Sequence, residues 1–538
     1  MQQGRLNGST LPGAPLEYPA LETSRQVYSV VTEMSRRRVA GMPAGPKTTA
    51  AVHDAPCALL CIPHPSLPEA TNPHNMFAPS SCARFAGGSF MLAADLLKRV
   101  LPQRTWQRLR SRWWRYLRPL AADYCPVTLP WFPGADARSG TGRLHRLATE
   151  FHWQDRWSPV TALCVGVAAV RWPFQLALGA IGAFRIYGRD VARRYGVSRT
   201  RQAVDLARLG FGSDVPPLAY YRYRLFDPDR AAHAHAYLHA EQMNVLYPTL
   251  AEGLPSDLPL RHKESFFETG RKHGLPVVPA VAVFPAGRPP RWYDGGAGAL
   301  PPCDLVLKPV DMACGRGFQL WTHDAGCWRR DGLQLDAAGF IAHCSAAAAG
   351  QTYVLQERLT NHPALHGVSG GGLSTIRVVT FRRPSGDSGV LLACLRMPTG
   401  GRPVDNFEAG GIAAPIDLAS GTLGPAVAKD PRRGRFDRHP DSDAPIAGLQ
   451  VPCFDQALRT TIEAHRRYPW MPFVGWDVVI TGDGPLLLEA NPDWCVELAQ
   501  IATGRALGDT LYPEIYLEHL SARGGGRHGR VSEAGAMA

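Results

Sequence analysis

Near its C-terminal end the chain reads GWDVVITGDGPLLLEANPDW, from Gly475 to Trp494. Among its valines and leucines stand two carboxylates and an amide, Asp477, Glu489 and Asn491. As a hairpin closed by a three-residue loop of Gly482, Asp483 and Gly484, it pairs Thr481 with Pro485. Counting back then sets Asp477 opposite Glu489. Directly opposed carboxylates destabilise a sheet unless a proton or a cation lies between them. Period two along the strand carries Asn491 to the same face. The set is then all-oxygen, which suits Mg²⁺ or Mn²⁺ rather than zinc. A two- or four-residue loop would put the acids on opposite faces. An exposed face with solvated acids is the plain alternative.

Two further stretches carry chemistry of a related kind. DLVLKPVDMACGRGF, Asp304 to Phe318, is a strand ending at Lys308-Pro309, followed by a small-residue loop with Gly315 and Gly317 around Arg316. Glycines let backbone N–H groups approach phosphate oxygens, and the lysine adds a point charge. The spacing is neither the Walker pattern nor the dinucleotide fingerprint, and G-R-G by itself reads as a β-turn. YVLQERLTNHP, from Tyr353, places Gln356 and Glu357 where a strand ends and a hinge could present its backbone to an adenine edge. The alternative is an ordinary surface pair of Glu357 and Arg358. His362, His366 and His439 stand on loops that could orient a substrate, and no Cys-His or Ser-His motif competes.

The elements that must position these residues follow from periodicity. Lys263 to Phe284 gives a helix with Phe266, Phe267 and Gly270, then a Gly-Leu-Pro stop and a valine-rich strand. Asp304–Val310, Tyr353–Leu359, Thr375–Phe381 and Gly389–Met397 read as strands, and helices fit Ala337–Ala349 and Phe454–Tyr468. This intermixing indicates an α+β class built around mixed sheets, without internal repeats.

Upstream the pattern differs. Residues 1–55 and the tail from Ser521 lack apolar period and read as disordered. Met91 to Leu120 interleaves arginines with three tryptophans, which suits an interfacial helix on anionic lipid, a nucleic-acid surface or a solvated basic face. Val160 to Tyr187 is nearly all apolar but carries Arg171 and Pro173 at its middle. Two half-helices at an interface, or a buried helical hairpin, fit it better than a membrane span. The expected domains are a lead at 1–55, a helical region at 56–200, a nucleotide domain at 201–520 and a tail at 521–538.

A chain of 538 residues suits two or three domains, and 45% hydrophobic with 19% charged residues is globular. Its formal charge of +12 favours phosphates, nucleic acid or anionic membranes as partners. Twelve scattered cysteines show no disulfide or zinc spacing and read as reduced. The start MQQGRLNGST lacks the order of a signal peptide, so a cytoplasmic location is expected, with peripheral contact at the inner face of the membrane through residues 91–187.

Taken in order, LKPVDMACGRGF, LQERLTNHP, STIRVVTF, PVDNFEAGGIAAPIDLASG and GWDVVITGDGPLLLEANPDW resemble the ATP-grasp superfamily. The closest likeness is its sugar-transfer-associated branch, found with bacterial exopolysaccharide functions and related to alpha-L-glutamate ligase-like proteins. The resemblance covers roughly residues 201–520. It implies two α+β subdomains holding ATP between them, with Lys263 and Lys308 on the phosphates and Gly315, Arg316 and Gly317 as a lid. It further implies Gln356, Glu357, Arg358 and Leu359 around adenine, and Asn406, Gly410 and Gly411 in a substrate-facing loop. Asp477, Glu489 and Asn491 would take Mg²⁺, and Arg377 would neutralise the transferred phosphoryl group.

The sequence departs from that pattern at His262, where an acid is more usual, and at Met312, Ala313 and Cys314 before the lid. The implied reaction is ATP-dependent ligation of a small-molecule or glycan-linked carboxylate to an amine, or to a thiol, through an acylphosphate. No nucleic acid is expected as a partner. A phosphotransferase on the same fold and a non-turnover ATP-binding regulator at the membrane are the rival readings.

Overall fold

A computed structural model of the chain describes residues 139–150, 159–252, 254, 260, 262–293, 298–310 and 317–524. The lead at 1–55, the basic tryptophan-rich stretch at 91–120 and residues 312–316, Gly315 and Arg316 among them, lie outside the described residues.

Two seven-stranded sheets form the scaffold. The first contains β1 (Ala282–Phe284), β2 (Arg291–Trp292), β3 (Leu305–Pro309), β4 (Gln319–Asp324), β5 (Cys327–Arg330), β6 (Leu333–Leu335) and β7 (Tyr353–Glu357), in spatial order β2-β1-β7-β3-β4-β5-β6. The second contains β8 (Thr375–Arg382), β9 (Ser388–Met397), β10 (Ile412–Pro415), β11 (Ala426–Ala428), β12 (Arg435–Phe436), β13 (Phe473–Thr481) and β14 (Gly484–Asn491), in order β12-β11-β10-β9-β8-β13-β14.

Every pair of these strands runs antiparallel, where mixed sheets were expected. Short turns impose this where consecutive strands pair, because a parallel pair needs a long crossover. Ala325-Gly326 and Asp331-Gly332, each with two positive φ angles of 47° and 76° and of 50° and 80°, close the β4–β5 and β5–β6 hairpins. Two successive left-handed residues match the twist of paired strands.

The helices that matter are α1 (Pro159–Tyr195), α2 (Arg199–Ser213), α3 (Lys263–Lys272), α4 (Ala337–Ala347), α5 (Phe454–Arg466) and α6 (Val496–Thr503). The helix α1 runs unbroken through Pro173, which corrects the expectation of two half-helices or a hairpin within it. Leu176, Ala183 and Val191 are buried along its length, so packing outweighs the hydrogen bond that the proline removes. Among the described residues no helix is long and apolar enough to cross a membrane. At the other end a helix spans Tyr512–Gly524, and Arg523 donates to the Leu250 carbonyl, so structure continues past Ser521.

All of β13 is buried, between β8 and β14. Val474, Trp476, Val478 and Ile480 pack into one cluster with Phe454, Ala457 and Tyr468. The alternate positions are Phe473, which packs with Trp494 and Tyr512, then Gly475 and Asp477. Pro276 to Val278 extends the β14 edge: Leu487 N–H donates to Pro276 O at 2.7 Å and Val278 N–H to Leu487 O at 3.1 Å. That clamp ties the segment leading into the first sheet to the last strand of the second.

A Cβ at Gly475 would lie 2.6 Å from Trp494 Cβ, a separation that side chains do not reach. We expect Gly475→Ala to destabilise the protein by about 1–3 kcal/mol, the usual penalty of overpacking. An unchanged midpoint in urea unfolding would refute this contact.

Candidate functional site

The β13–β14 register departs from expectation and then returns to it. Thr481 pairs with Gly484, not with Pro485, so the loop has two residues, Gly482 and Asp483. That alone would throw the two acids onto opposite faces. The register shifts between Val478↔Leu487 and Asp477↔Glu489, however, so Leu488 passes without a partner and Asp477 does oppose Glu489. The bulge supplies the residue that the loop lacks. Asn491 opposes Gly475, two positions further on.

What Asp477 touches was not foreseen. Its Oδ1 accepts from Arg377 Nε at 2.6 Å, and its Oδ2 accepts from Arg377 Nη2 at 3.2 Å and from Arg396 Nη2 at 3.0 Å. Arg396 stands on β9, beside β8, and its Nη2 and Nε also donate to Thr375 Oγ1. Asp405 in turn accepts from Thr375 N–H at 2.8 Å and lies 3.5 Å from Arg396 Nε. Two guanidiniums thus offset two buried carboxylates. Burial works against the charge of Asp477, yet Arg377 and Arg396 hold its carboxyl below the usual range. For Asp405 burial prevails and the carboxyl is raised, with Arg396 and Thr375 offsetting only part of it. Arg396 itself loses solvation, but Asp405 and Asp477 more than compensate and its proton is held more tightly than usual.

A cleft lies beside this network, lined by Lys263 and Lys308, by Phe266, Val278 and Gln356, and by Leu488 of the bulge. Lys263 starts α3 and Lys308 sits at the end of β3, so helix and strand converge two cations on one opening. Burial, with the neighbouring charge of Lys263, lowers Lys308 from 10.5 to about 8, and Glu489 only partly opposes this. Glu489 lies 3.9 Å from Lys263 Nζ, and its charge reaches both Lys308 and Arg396. It is the acid that stands between the lysine pair and the arginine pair.

The donor set fits a divalent cation unevenly. Glu489 is one-third exposed, at 33%, and Asn491 Nδ2 is buried without a hydrogen-bond partner. The carboxylate oxygens of Glu489 suit a hard, oxygen-seeking ion, whereas the unpartnered Nδ2 of Asn491 is a donor, so only the amide oxygen of that side chain could serve one. Asp477 accepts three hydrogen bonds from cations, so an added ion there would have to displace a guanidinium. Among the described residues no group of three or more His, Cys, Asp or Glu converges for a metal.

Residues 264–512 match the family described as sugar-transfer associated ATP-grasp. The match spans just under half of the chain. The ATP-grasp domain is also similar to solved structures, among them the D-alanine-D-alanine ligase from Coxiella burnetii, at 10% identity over 49% of this chain and 59% of that one, with a TM-score of 0.28. The N5-carboxyaminoimidazole ribonucleotide synthetase from Thermus thermophilus matches at 12% identity over 43% and 45%, with a TM-score of 0.24. The biotin carboxylase domain of the 2-oxoglutarate carboxylase from Hydrogenobacter thermophilus matches at 11% over 59% and 56%, with a TM-score of 0.28. The chain spans about half the length of these structures, from 45% to 59%. No curated protein matches the chain.

The remaining sequence candidates of the ATP-grasp domain fall in several places. Gln356 is buried, and its Nε2 donates to the carbonyls of Val278 and Pro279 at 3.1 and 3.2 Å. Its side chain is spent on the clamp segment. Arg358 pairs with Asp304 at 2.9 Å rather than with Glu357, which is exposed. The β7 ladder ends there, since Arg358 N–H donates to Asp304 O, and Leu359 is the next residue. Gly317 adopts a φ of 71° just before β4. Asn406 caps a short turn by accepting from Glu408 N–H, and Gly411 N–H returns to Asn406 O. Gly410, at a φ of 106°, offers its carbonyl to Thr399 and Arg433. This loop is joined to the site through Asp405. His362, His366 and His439 each engage nearby backbone, at Ala364 N, Asn361 O and Pro398 O.

Sequence reasoning missed Arg396, Thr375 and Asp405. Their signal was present: an arginine interrupts the apolar run LLACLRM, and an acid precedes the Asn-Phe of PVDNF. Cys303, Cys327, Cys344, Cys394, Cys453 and Cys495 are free thiols.

Removing one partner of a buried ion pair leaves the others uncompensated. We expect Asp477→Asn to destabilise the ligand-free protein by about 3–5 kcal/mol in chemical denaturation. An aspartate that only crowded Glu489 would give the opposite sign, a gain in stability. Because its carboxyl is depressed, the stabilisation by Asp477 is complete above the ordinary carboxylate range and is lost as pH falls through the depressed value.

Proposed function

We propose that the ATP-grasp domain is an ATP-dependent ligase that activates a carboxylate as an acylphosphate and passes the acyl group to an amine, or to a thiol. The observation that carries this reading is the convergence of Lys263 and Lys308 on one cleft, with Glu489 3.9 Å from Lys263 Nζ and the Arg377–Asp477–Arg396 network further on. In this reading Lys263 and Lys308 meet the ATP phosphates, and residues 315–317 close over them. Leu359 and its neighbours Gln356, Glu357 and Arg358 border adenine. Glu489 and Asn491 hold Mg²⁺ or Mn²⁺, which supplies charge neutralisation at the phosphates when bound. Asp477 joins them only by giving up part of its arginine pairing.

The chemistry needs no protein nucleophile. A carboxylate oxygen of the substrate attacks the γ-phosphorus, and the bond to the bridging oxygen breaks, releasing ADP. Negative charge spreads over the transferred group, where Lys308, Arg377 and Arg396 oppose it. The amine nitrogen then attacks the acyl carbon, inorganic phosphate leaves, and the surplus amine proton passes to solvent. The protein positions the reactants and supplies charge. In this reading the carboxylate is sugar- or amino-acid-derived and serves polysaccharide or related biosynthesis, in keeping with the sugar-transfer association of the matched family.

The commitment of Asp477 to two guanidiniums favours one second reading, a nucleotide-binding regulator without turnover. An ADP-release screen of carboxylates against amines, with mass spectrometry of the products, separates the two. A stable phosphorylated product in place of an amide and free phosphate would instead indicate a phosphotransferase.

For the ligase, Glu489→Gln and Lys308→Ala should each lower ADP formation by about a hundredfold or more with the fold intact, as loss of one preorganised charge does. Normal turnover by Glu489→Gln would overturn the cation assignment. Lys308 must be charged to attract phosphate, so nucleotide affinity should be highest below about pH 8 and weaken above it, by up to about tenfold per unit. In Lys308→Arg, calorimetry should show that dependence flattened.

A further inference from the structure

The long helix α1 has two unlike faces. Trp172, Leu176, Ala183 and Val191 are buried, with Leu176 against Gly210 of α2 and Ala183 and Val191 in the cluster around Tyr220 and Tyr221. On the other face Val170, Phe174, Leu178 and Ile181 are 70%, 68%, 70% and 54% exposed. Their spacing of four, four and three residues lines them into one row. Val167 precedes the row at 45% exposure, and Arg185 and Arg189 continue it by one turn each.

Charge says what covers this row. Residues 159–213 contain Arg171, Arg185, Arg189, Arg193, Arg194, Arg199, Arg201 and Arg208 against Asp190 and Asp205. Eight minus two gives +6, half of the formal +12 of the whole chain. Both acids are already paired, Asp190 with Arg193 and Asp205 with Arg201 and Arg208. Arg185 and Arg189 form no ion pair among the described residues. A protein surface or a second copy of the chain would cover the apolar row, but a second copy would also bring this arginine excess against itself. An anionic bilayer satisfies both features, because headgroups meet the arginines while the side chains of Phe174 and Leu178 enter the acyl boundary.

We infer that α1 docks by this row into the headgroup layer of an anionic membrane, lying in its plane. The row from Val167 to Arg189 covers roughly 33 Å at 1.5 Å per residue. The inference rests on the helix and not on the nucleotide cleft, and it narrows membrane contact from residues 91–187 to one face of one element.

The test uses the full-length chain and flotation with vesicles of phosphatidylcholine, with and without about one-third phosphatidylglycerol. The wild type should float with anionic vesicles only, and less so as salt rises. Phe174→Glu with Leu178→Glu, and separately Arg185→Glu with Arg189→Glu, should each weaken that association by about tenfold or more while circular dichroism and Tm hold. Four outcomes overturn the inference. They are no flotation of the wild type, flotation indifferent to phosphatidylglycerol, undiminished flotation of both double variants, and a wild-type dimer that Phe174→Glu with Leu178→Glu converts to monomer.

Discussion

One carboxylate held by two guanidiniums organises the centre of this molecule. Asp477 sits in the middle of a fully buried strand, where a lone charge could not persist. Arg377 arrives from β8 and Arg396 from β9, so three consecutive strands of the second sheet each contribute one charged group to the same spot. Thr375 and Asp405 then fasten Arg396 from its far side. The sheet order is thereby fixed by electrostatics as well as by packing. Exchanging any two of these strands would strand a charge in the interior.

This arrangement also decides what Glu489 can do. Because the arginines already neutralise Asp477, the opposition of two acids across β13 and β14 is not the conflict that their pairing suggests. Glu489 keeps its charge available to the cleft, with Lys263 at 3.9 Å and Lys308 within its field. An acid poised between cations can hold a metal, or can restrain the lysines until a polyanion replaces it. Both roles depend on the bulge at Leu488, which turns Glu489 to the side of Asp477.

Much of this was legible in residue order, and the failures have physical causes. The strands around Lys308, Gln356, Arg377 and Asp477 were readable because apolar runs bounded by Gly, Pro and Asn leave little alternative. The facing of Asp477 and Glu489 was foreseen for the wrong reason. A shorter loop and a compensating bulge give the same pairing, and a bulge leaves no mark in a pattern of period two. The partners of Asp477 were hidden because Arg377 and Arg396 are neighbours only through sheet pairing, nineteen positions apart in the chain. Pro173 misled in the other direction, since its local effect was overcome by burial along the rest of α1. Lys263, Lys308, Arg377, Asp477 and Glu489 could be named from the sequence, whereas Arg396, Asp405 and the attachments among these groups could not.

The clamp of Pro276–Val278 on Leu487 has a mechanical consequence. It is made of backbone bonds on one side and of the Gln356 amide on the other, so it grips whatever side chains surround it. It also borders the same cleft as Lys308. A rotation that spread the two sheets while keeping these bonds would turn about this fastening, with the fastened edge as axle and the far rim as the part that swings. Small rotations there move the cleft's outer wall most and its inner wall least. The lysines line the same opening as the clamp, so they belong to that inner wall and hold their place beside the fastening.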